Sequence, residues 1–384
     1  MKYLLKSDTV PSMENNILQL SEPLQNALLS LGIHEFSKVQ KECIPPACHG
    51  KDVFAQAPTG AGKTYAYLIP ILERMELQGK GKHYPQALIL SPTRELSLQI
   101  AANVRDLLKN IEGIRTAVLT GGVDMNDQVR SFSKGADIVI GTPSRICDHL
   151  RRHTLKTKKI TMAVCDEADV MLSMGFEADV HTIMDSLPTH QTLFFSATYN
   201  PEVEGLIKQY LHDPFQCHIE EETFLAQETT YQCILTDTHA KMDLLKKILP
   251  SCSGQVLIFC NTRKTSDYVC AILQERHFSC ETIHSEMDPK VRKKIMQRFR
   301  DHDLPILIAT DVASRGIDVP SVSTVISYDL PDHMDDLVHR FGRTARAGHA
   351  GEAYLFLTIQ QKTKLADIQS LFPAIIVKEK EAVR

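Results

Sequence analysis

Short apolar runs alternate with helix-compatible segments along most of the chain. In the first half, each run ends in a small cluster of polar or glycine residues. These runs occupy residues 53–55, 87–90, 137–140, 162–165 and 192–195. Continuous apolar runs are typical of strands that are buried on both faces of a parallel sheet. The pattern therefore predicts an α/β fold whose parallel sheet is covered by helices.

The second half repeats this rhythm, with runs at 255–260, 282–283, 306–309 and 325–328. Between the halves, residues 220–230 carry an acidic triplet and little apolar periodicity. Such a segment is typical of a solvated connector, so the pattern predicts two α/β domains joined by a flexible linker.

The two ends of the chain lack the alternation of apolar runs and helices. Residues 1–16 are polar and are expected to be disordered or extended. A first helix is expected to begin after Ser21, with Pro23 in its first turn, and to stop at Gly32. Residues 373–384 carry mixed charge and are expected to be a solvated tail.

Composition narrows the class of protein. The chain has 384 residues, 43% of them hydrophobic, which suits two globular domains. No run approaches the ~18 apolar residues of a membrane span, and residues 1–10 make a poor signal peptide. Ten cysteines without a Cys-x-x-Cys pair favour buried, reduced thiols and an intracellular protein, in the nucleus or the cytoplasm. A net charge of −4 leaves any nucleic-acid contact to a local groove.

The stretch at 57–64 follows the first apolar run and precedes a helix. Its glycines let backbone N–H groups approach phosphate oxygens, and the helix N-terminus favours anions. Lys63 would reach the β- and γ-phosphates, and the Thr64 hydroxyl would bind Mg²⁺. Ala57 stands where the usual pattern has its first glycine, and an ordinary glycine-rich turn is the alternative.

Residues 166–169, Asp-Glu-Ala-Asp, follow another apolar run. Ligand sites of parallel α/β sheets lie at the carboxyl ends of strands. There, one carboxylate could hold Mg²⁺ opposite Thr64, and its neighbour could deprotonate a water that attacks the γ-phosphate. An acidic surface turn is the alternative.

Residues 339–346 contain two arginines, Arg343 and Arg346, three positions apart. On a helix they would share a face, and their guanidinium groups could clamp a γ-phosphate. A solvated basic face is the alternative for this segment taken alone.

Together these motifs resemble the core of the DEAD-box ATP-dependent RNA helicases of superfamily 2, over roughly residues 18–360. The matching segments are Gln40 and residues 57–64, 92–96, 121–122, 142–145, 166–169, 196–198, 310–318 and 339–346. The resemblance implies two tandem RecA-like domains with parallel sheets. The expected boundaries are an N-terminal extension 1–17, an ATP-binding domain 18–218, a linker 219–230, a helicase C-terminal domain 231–372 and a tail 373–384.

The resemblance also implies cofactors, ATP and Mg²⁺, and roles for individual residues. Gln40 would read the adenine, and Asp318 would lie near the ribose. Asp166 would hold Mg²⁺ through water, and Glu167 would be the general base. The expected phosphate-binding residues are Ala57, Thr59, Gly60, Ala61, Gly62, Lys63 and Thr64, with Arg343 and Arg346 on the γ-phosphate. Asp169, Ser196, Thr198 and His339 would couple the state of ATP to domain closure.

The implied partner is single-stranded or short duplex RNA, bound through its backbone without sequence preference. The expected RNA contacts are Arg94, Gly122, Thr142, Arg145, Thr262, Arg263, Thr310 and Arg315. The implied function is an RNA-dependent ATPase that unwinds short duplexes locally or remodels ribonucleoproteins, with possible protein cofactors and no membrane. The alternatives are a DNA-directed translocase and an ATP-dependent RNA clamp or scaffold with little unwinding.

Some positions depart from the family pattern. Ile33 stands where an aromatic residue usually stacks on adenine, and Asn15 or Ile17 replaces an upstream Phe. Ser144 replaces a glycine in an RNA-binding turn, and Pro289 replaces a Gln. Phe36 and Lys38 replace prolines. The expected consequences are weaker adenine stacking and an altered grip on RNA, with the catalytic residues intact.

Overall fold

The structure is a computed structural model that describes residues 19–58, 60–78, 84–219, 229–284, 286–311, 322–344 and 351–379. The chain divides into two compact units, the first formed by residues 1–91 and 100–219 and the second by residues 92–99 and 220–384. None of the helices in the described ranges is both long and apolar enough to cross a bilayer.

The first unit contains a seven-stranded sheet in which all neighbouring strands are parallel. Its strands are β1 (Val53–Gln56), β2 (Ala87–Leu90), β3 (Thr116–Leu119), β4 (Ile138–Gly141), β5 (Met162–Cys165), β6 (Gln191–Ser196) and β7 (Phe215–His218). Their order across the sheet is β3-β4-β2-β5-β6-β1-β7. All five predicted strands are confirmed, and the two that the pattern missed, β3 and β7, lie at the edges.

Nine helices of the described part of the first unit connect these strands or precede them. They are α1 (Glu22–Ser30), α2 (Lys38–Cys48), α3 (Lys63–Gln78), α4 (Arg94–Leu107), α5 (Met125–Ser133), α6 (Pro143–Arg151), α7 (Ala168–Ser173), α8 (Glu177–Asp185) and α9 (Pro201–Tyr210). The first helix ends as predicted, because Gly32 takes the left-handed φ of +73° that a side chain would disfavour.

The core of this unit lies on both faces of the sheet. Phe54, Leu88, Val139 and Phe194 are fully buried and pack with α6, α8 and α9 on one face. On the other face, the ring of Tyr67 in α3 packs edge-to-face on Phe195 in β6, with centroids 5.3 Å apart. Covering both faces explains why the central strands read as continuous apolar runs.

The second unit repeats the architecture. Its strands are β8 (Thr229–Thr236), β9 (Val256–Cys260), β10 (Cys280–Ile283), β11 (Ile306–Thr310), β12 (Thr324–Ser327), β13 (Gly351–Thr358) and β14 (Ile376–Glu379). The sheet order is β10-β11-β9-β12-β13-β8-β14, again with parallel neighbours. Its helices are α10 (Lys241–Ile248), α11 (Arg263–Glu275), α12 (Pro289–Arg300), α13 (Met334–Phe341) and α14 (Leu365–Leu371).

The expectation of a solvated tail over residues 373–384 is wrong for its first part. Ile376–Glu379 forms the edge strand β14, which pairs with β8 in parallel. Edge strands are half exposed, so mixed charge does not exclude them. The expected linker is also shorter, because Ile219 N donates to Gln56 O next to β1 and β8 already begins at Thr229.

Candidate nucleotide and RNA site

The turn between β1 and α3 has the backbone of a phosphate-binding loop. Gly60 and Gly62 both take positive φ, +88° and +93°. The Lys63 ammonium is 7% exposed and donates to Ala57 O at 2.8 Å, and Ala57 N donates to Ser196 O at 2.9 Å. The predicted lysine therefore lies over the turn at the carboxyl end of β1. Thr59, also predicted here, lies outside the described residues.

Two side chains of the α2 N-terminus hold this turn from outside. Ser37 Oγ donates to Ala61 O at 2.7 Å, and Gln40 Nε2 donates to Gly62 O at 3.0 Å. A Cβ on Gly62 would lie 2.5 Å from Gln40 Nε2, so a side chain at this position would displace the Gln40 amide from the turn. Gln40 Oε1 accepts from Ser37 N, which leaves the amide one donor and one acceptor for an adenine edge.

The acidic tetrad follows β5 and meets α3. Asp166 is buried, and its Oδ2 accepts from the Tyr67 hydroxyl at 2.8 Å. Burial, with the neighbouring Glu167 charge, raises the pKa of Asp166 to about 6, and Lys63 partly opposes this. Burial and the Asp166 carboxylate raise the pKa of Tyr67. Tyr67 lies four residues after Lys63, which places both on one face of α3.

Glu167 differs from its neighbour in its hydrogen bonding. Its backbone is left-handed, with φ of 53°, and its N–H donates to Asp166 Oδ1 at 3.0 Å. The side chain is 8% exposed, and Oε2 is buried without a hydrogen-bond partner among the described residues. An unsatisfied buried carboxylate oxygen is costly unless it serves a ligand or water. Glu167 therefore has a free acceptor where a general base needs one.

Asp169 connects the tetrad to the segment that follows β6. Its Oδ2 accepts from Ala197 N, from Thr198 N and from Thr198 Oγ1, at 3.2, 3.0 and 2.9 Å. The predicted pair Asp169 and Thr198 is thus in direct contact. Ser196 Oγ is buried and makes no hydrogen bond within the described part of the chain.

The loop at 120–123 in the first unit is held by a polar network. Gln128 Nε2 donates to Thr120 O at 2.7 Å, so its Oε1 accepts from Arg145 Nη1 and from His149 Nε2. Arg145 Nη1 also donates to Val123 O at 2.9 Å. His149 is fully buried, and burial lowers its pKa. Arg145 therefore shapes the backbone around Gly122, and its predicted contact with RNA stays a prediction.

Thr142 and Ser144 lie at the N-terminus of α6. Thr142 is the N-cap residue, and its N–H donates to Leu119 O at 3.2 Å. The Ser144 hydroxyl donates to Asp179 Oδ2 in α8 at 2.7 Å. The departure at Ser144 thus adds a contact between α6 and α8 that a glycine would lack. Arg94, another predicted RNA contact, begins α4.

The second unit is organised at its strand ends by Arg340, which the sequence pattern did not single out. Its guanidinium donates to both Asp311 carboxylate oxygens and to Asn261 Oδ1. It also donates to Ser327 Oγ and Asp329 O. Arg340 is 1% exposed and lies over the Phe259 ring. One side chain therefore ties together the segments that follow β9, β11 and β12.

The structure does not place Arg343 on the helix that the sequence predicts, and Arg346, its expected neighbour on that face, lies outside the described residues. The helix α13 ends at Phe341, and Arg343 lies in the turn that follows it. The Arg343 N–H donates to Arg340 O at 3.1 Å. Thr344 then forms an isolated parallel β-bridge with Val322, so the chain is not helical at this position. Arg343 is buried. His339 is described within α13, whereas Arg346 and Asp318 lie outside the described residues.

The other predicted RNA contacts of this unit occupy strand ends and a helix start. Thr262 caps α11 by accepting from Thr265 N at 3.1 Å. Arg263 forms an ion pair with Glu286. Thr310 ends β11 and is buried. Arg315 lies in a part of the chain that the structure does not describe.

Known proteins match both units of this chain. Residues 37–206 match the DEAD/DEAH box helicase family, and residues 240–348 match the helicase conserved C-terminal domain. The chain is 36% identical over 361 residues to the ATP-dependent RNA helicase CshA of Limosilactobacillus reuteri, covering 94% of this chain and 72% of that protein. It is also 36% identical to the ATP-dependent RNA helicase DeaD of Haemophilus influenzae, covering 93% and 58%.

Solved structures agree with these matches. S. cerevisiae Dbp5 bound to RNA and ADP BeF3 superimposes with a TM-score of 0.82 at 27% identity, covering 96% of each chain. Mss116p bound to ssRNA and AMP-PNP gives 0.82 at 26% identity, covering 94% of this chain and 78% of that one. The chain therefore belongs to the DEAD-box family of ATP-dependent RNA helicases. Its fold is two RecA-like parallel sheets.

Proposed function

We propose that this chain is an RNA-dependent ATPase that couples ATP hydrolysis to local duplex unwinding or ribonucleoprotein remodelling. The observation that carries the proposal is the juxtaposition, through Tyr67, of the turn that bears Lys63 with the Asp166–Glu167 pair. Glu167 keeps a buried oxygen without a partner among the described residues, next to a carboxylate that Lys63 influences. The turn supplies phosphate donors, and Glu167 supplies a base for the attacking water.

The donor set also suits Mg²⁺. The Thr64 hydroxyl and Asp166 offer only oxygen ligands, and Mg²⁺ bound with nucleotides keeps several waters and few protein ligands. No cluster of three or more His, Cys, Asp or Glu side chains that could cage a metal occurs within the described ranges. We place Thr64 and, through water, Asp166 as the ligands. When bound, the ion would neutralise charge on the β- and γ-phosphates.

RNA binding is proposed to use backbone groups and threonine hydroxyls at strand ends. The network of Gln128, Arg145 and His149 fixes the loop at 120–123, and Thr142 begins α6 beside it. Such groups can reach phosphate and 2′-OH oxygens without reading bases. The roles of Arg94, Thr262, Arg263, Thr310 and Arg315 stay predictions, as do those of Arg343, Arg346, His339 and Asp318. The intracellular location also stays a prediction.

The deciding experiment measures ATP turnover with no nucleic acid, with single-stranded RNA and with DNA of the same sequence. We expect stimulation by RNA and not by DNA. Stimulation by both would favour a DNA-directed translocase. RNA-dependent nucleotide binding without turnover would favour a clamp or scaffold.

A linkage measurement tests the coupling of the two ligands. An ATP analogue should tighten RNA binding, and RNA should tighten binding of the analogue by the same factor. A coupling free energy of ~1–3 kcal/mol is typical of such systems. Independent binding of the two ligands would contradict the proposal.

A further inference from the structure

Two cysteine side chains of the second unit face each other between α11 and β10. Cys270 lies within α11 and Cys280 begins β10, ten positions later, and their Sγ atoms are 3.8 Å apart. They are 6% and 4% exposed, and neither is part of a disulfide. Each Sγ atom also lies near the carbonyl oxygen of the other cysteine, at 3.9 and 3.6 Å.

Both cysteines border a groove of about 580 Å³ on the surface of this unit. Its apolar lining includes Phe278 and Val291, and its polar lining includes Gln274 and Arg298. Arg298 forms an ion pair with Glu281 and is partly exposed. The thiols are therefore covered by protein on one side, and on the other side they border a groove on the surface of the unit.

The geometry suits a covalent bond between the two sulfurs. A disulfide has an S–S length of about 2.05 Å, so the Sγ atoms need to approach by less than ~2 Å. Gln274 Nε2 in α11 donates to Cys280 O at 2.9 Å, which ties the first residue of β10 to the helix that carries Cys270. Side-chain rotation can thus close the gap while α11 and β10 keep their packing.

The two thiols also differ in acidity. The Cys280 S–H can hydrogen-bond to the Cys270 sulfur, which lowers the pKa of Cys270 although burial and Asp267 act in the opposite direction. The same contact raises the pKa of Cys280, and burial adds to this. The thiolate is the nucleophile in thiol–disulfide exchange, so we assign the first attack to Cys270, and the two alanine variants described below test this order.

We propose that Cys270 and Cys280 form a modification site that is oxidised reversibly by a low-molecular-weight disulfide such as oxidised glutathione. The Cys270 thiolate attacks one sulfur of oxidised glutathione, forming a mixed disulfide and releasing one glutathione thiolate. The Cys280 thiolate then attacks Cys270 Sγ, forming the Cys270–Cys280 bond and releasing the second glutathione. The protein loses two electrons and two protons, and one oxidised glutathione becomes two reduced ones.

The test uses the full chain, reduced and then incubated with oxidised glutathione. We expect a product about 2 Da lighter, since two hydrogens are lost. Non-reducing digestion should give one linked peptide that contains Cys270 and Cys280, and dithiothreitol should release it. The bond should also raise the unfolding temperature of the second unit, because it constrains the unfolded chain.

Two variants separate the steps and one serves as a control. In Cys280→Ala, Cys270 should be trapped as a mixed disulfide about 305 Da heavier, as S-glutathionylation adds one glutathione. In Cys270→Ala, neither the bond nor a comparable adduct on Cys280 should form. Cys48 is an exposed cysteine of the first unit, so Cys48→Ala should still form the bond.

Reaction elsewhere would overturn the proposal. It is wrong if glutathione modifies Cys48 or Cys252 while Cys270 and Cys280 stay reduced, or if the linked peptides join another pair. The peptide map of the oxidised wild-type protein decides this even if a variant folds poorly. A linked product that dithiothreitol does not reverse would contradict the reversible character of the site.

Discussion

The two units share one strand order and differ where the first strand of each meets its helix. In both sheets, that strand lies between the sixth and the seventh strand of its unit. In both, the following helix begins with a lysine, Lys63 in α3 and Lys241 in α10. The fifth strand of each unit is also followed by an aspartate, Asp166 after β5 and Asp329 after β12. The two units are therefore equivalent in the placement of these charged residues.

The two units differ in the turn that connects the first strand to the following helix. In the first unit it contains Gly60 and Gly62 at positive φ, and Lys63 donates to a carbonyl of the turn. In the second unit the segment 237–240 contains no glycine and forms a 3₁₀ turn. There Lys241 is buried and donates to Tyr328 O at 2.8 Å and to Asp329 Oδ1 at 2.9 Å. Each unit therefore has a lysine and an acid at equivalent places, and a glycine turn precedes the lysine only in the first unit.

The largest expected effect is on the stability of the second unit. Lys241→Ala leaves the Asp329 carboxylate, 22% exposed, without its ammonium partner. We expect a loss of about 3 kcal/mol in the free energy of unfolding, as for a broken buried pair. Urea unfolding of the second unit measures it, and nucleotide affinity should stay unchanged.

Lys246→Ala in the same helix is the matched control, since Lys246 pairs with the more exposed Asp243. Its cost should stay below ~1 kcal/mol, as for surface pairs. Equal losses in the two variants would refute the idea that Lys241 is held by its aspartate.

The next effect is on hydrolysis. Glu167→Gln removes the proposed base but keeps the shape of the side chain, so ATP and RNA should still bind. RNA-stimulated turnover should fall at least ~100-fold, within the range for loss of a general base. Pre-steady-state hydrolysis and a nucleotide-binding titration measure the two properties.

Glu73→Gln offers a control of equal burial, because Glu73 and Glu167 are both 8% exposed. Glu73 accepts from the N–H and the hydroxyl of Ser21, away from the phosphate turn. This variant should hydrolyse ATP at close to the normal rate. If Glu167→Gln instead abolishes nucleotide binding, Glu167 has a binding role.

Lys63→Ala tests the corresponding lysine of the first unit. Removing a charged hydrogen-bond donor costs ~1.5–3 kcal/mol of binding, which is roughly 10- to 150-fold in Kd. The free energy of unfolding should change little, in contrast to Lys241→Ala. A Lys63→Ala protein that binds ATP normally and unfolds easily would reverse the roles assigned to the two lysines.

The smallest effect concerns the adenine. Ile33 is half-buried, outside the fully buried core. Ile33→Phe should tighten ATP binding roughly two- to tenfold, because aromatic stacking adds about 0.5–1.5 kcal/mol. Isothermal titration measures it. Unchanged affinity with lower stability would mean that Ile33 only packs against protein.

Gln40→Ala tests the same pocket. It should erase the preference for ATP over GTP, since the amide presents a donor and an acceptor. It should also weaken both nucleotides, because Gln40 Nε2 holds Gly62 O. Loss of ATP affinity with the preference for ATP intact would contradict a role in reading the base.

The central strands and the phosphate turn could be predicted because they depend on local patterns. A continuous apolar run identifies a strand buried on both faces, and the glycines of the turn adjoin their lysine in sequence. Edge strands such as β3 and β14 lack a continuous apolar run because one side of the strand faces water. In β3, for example, half-buried and buried residues alternate. The sequence pattern predicts one helix for both arginines because it does not identify Gly342 as the C-cap residue of α13.

Residues whose roles depend on distant partners could not be predicted. Lys241 meets Asp329 across 88 positions, and Arg340 meets Asn261 across 79. Gln128 and His149 acquire their roles only when α5 and α6 lie side by side. No spacing rule identifies such contacts before the topology is known.

The position of β1 has a consequence for synthesis on the ribosome. Val53 pairs with Leu193 in β6 and with Phe215 in β7, so its nearest strand partner is made 140 residues later. At 5–20 residues per second, translation takes roughly 7–28 s to reach that partner. Throughout this interval the nascent chain carries an unpaired apolar strand beside its glycine turn. We therefore expect the segment proposed to bind the triphosphate to stay exposed on the nascent chain until β6 has been made.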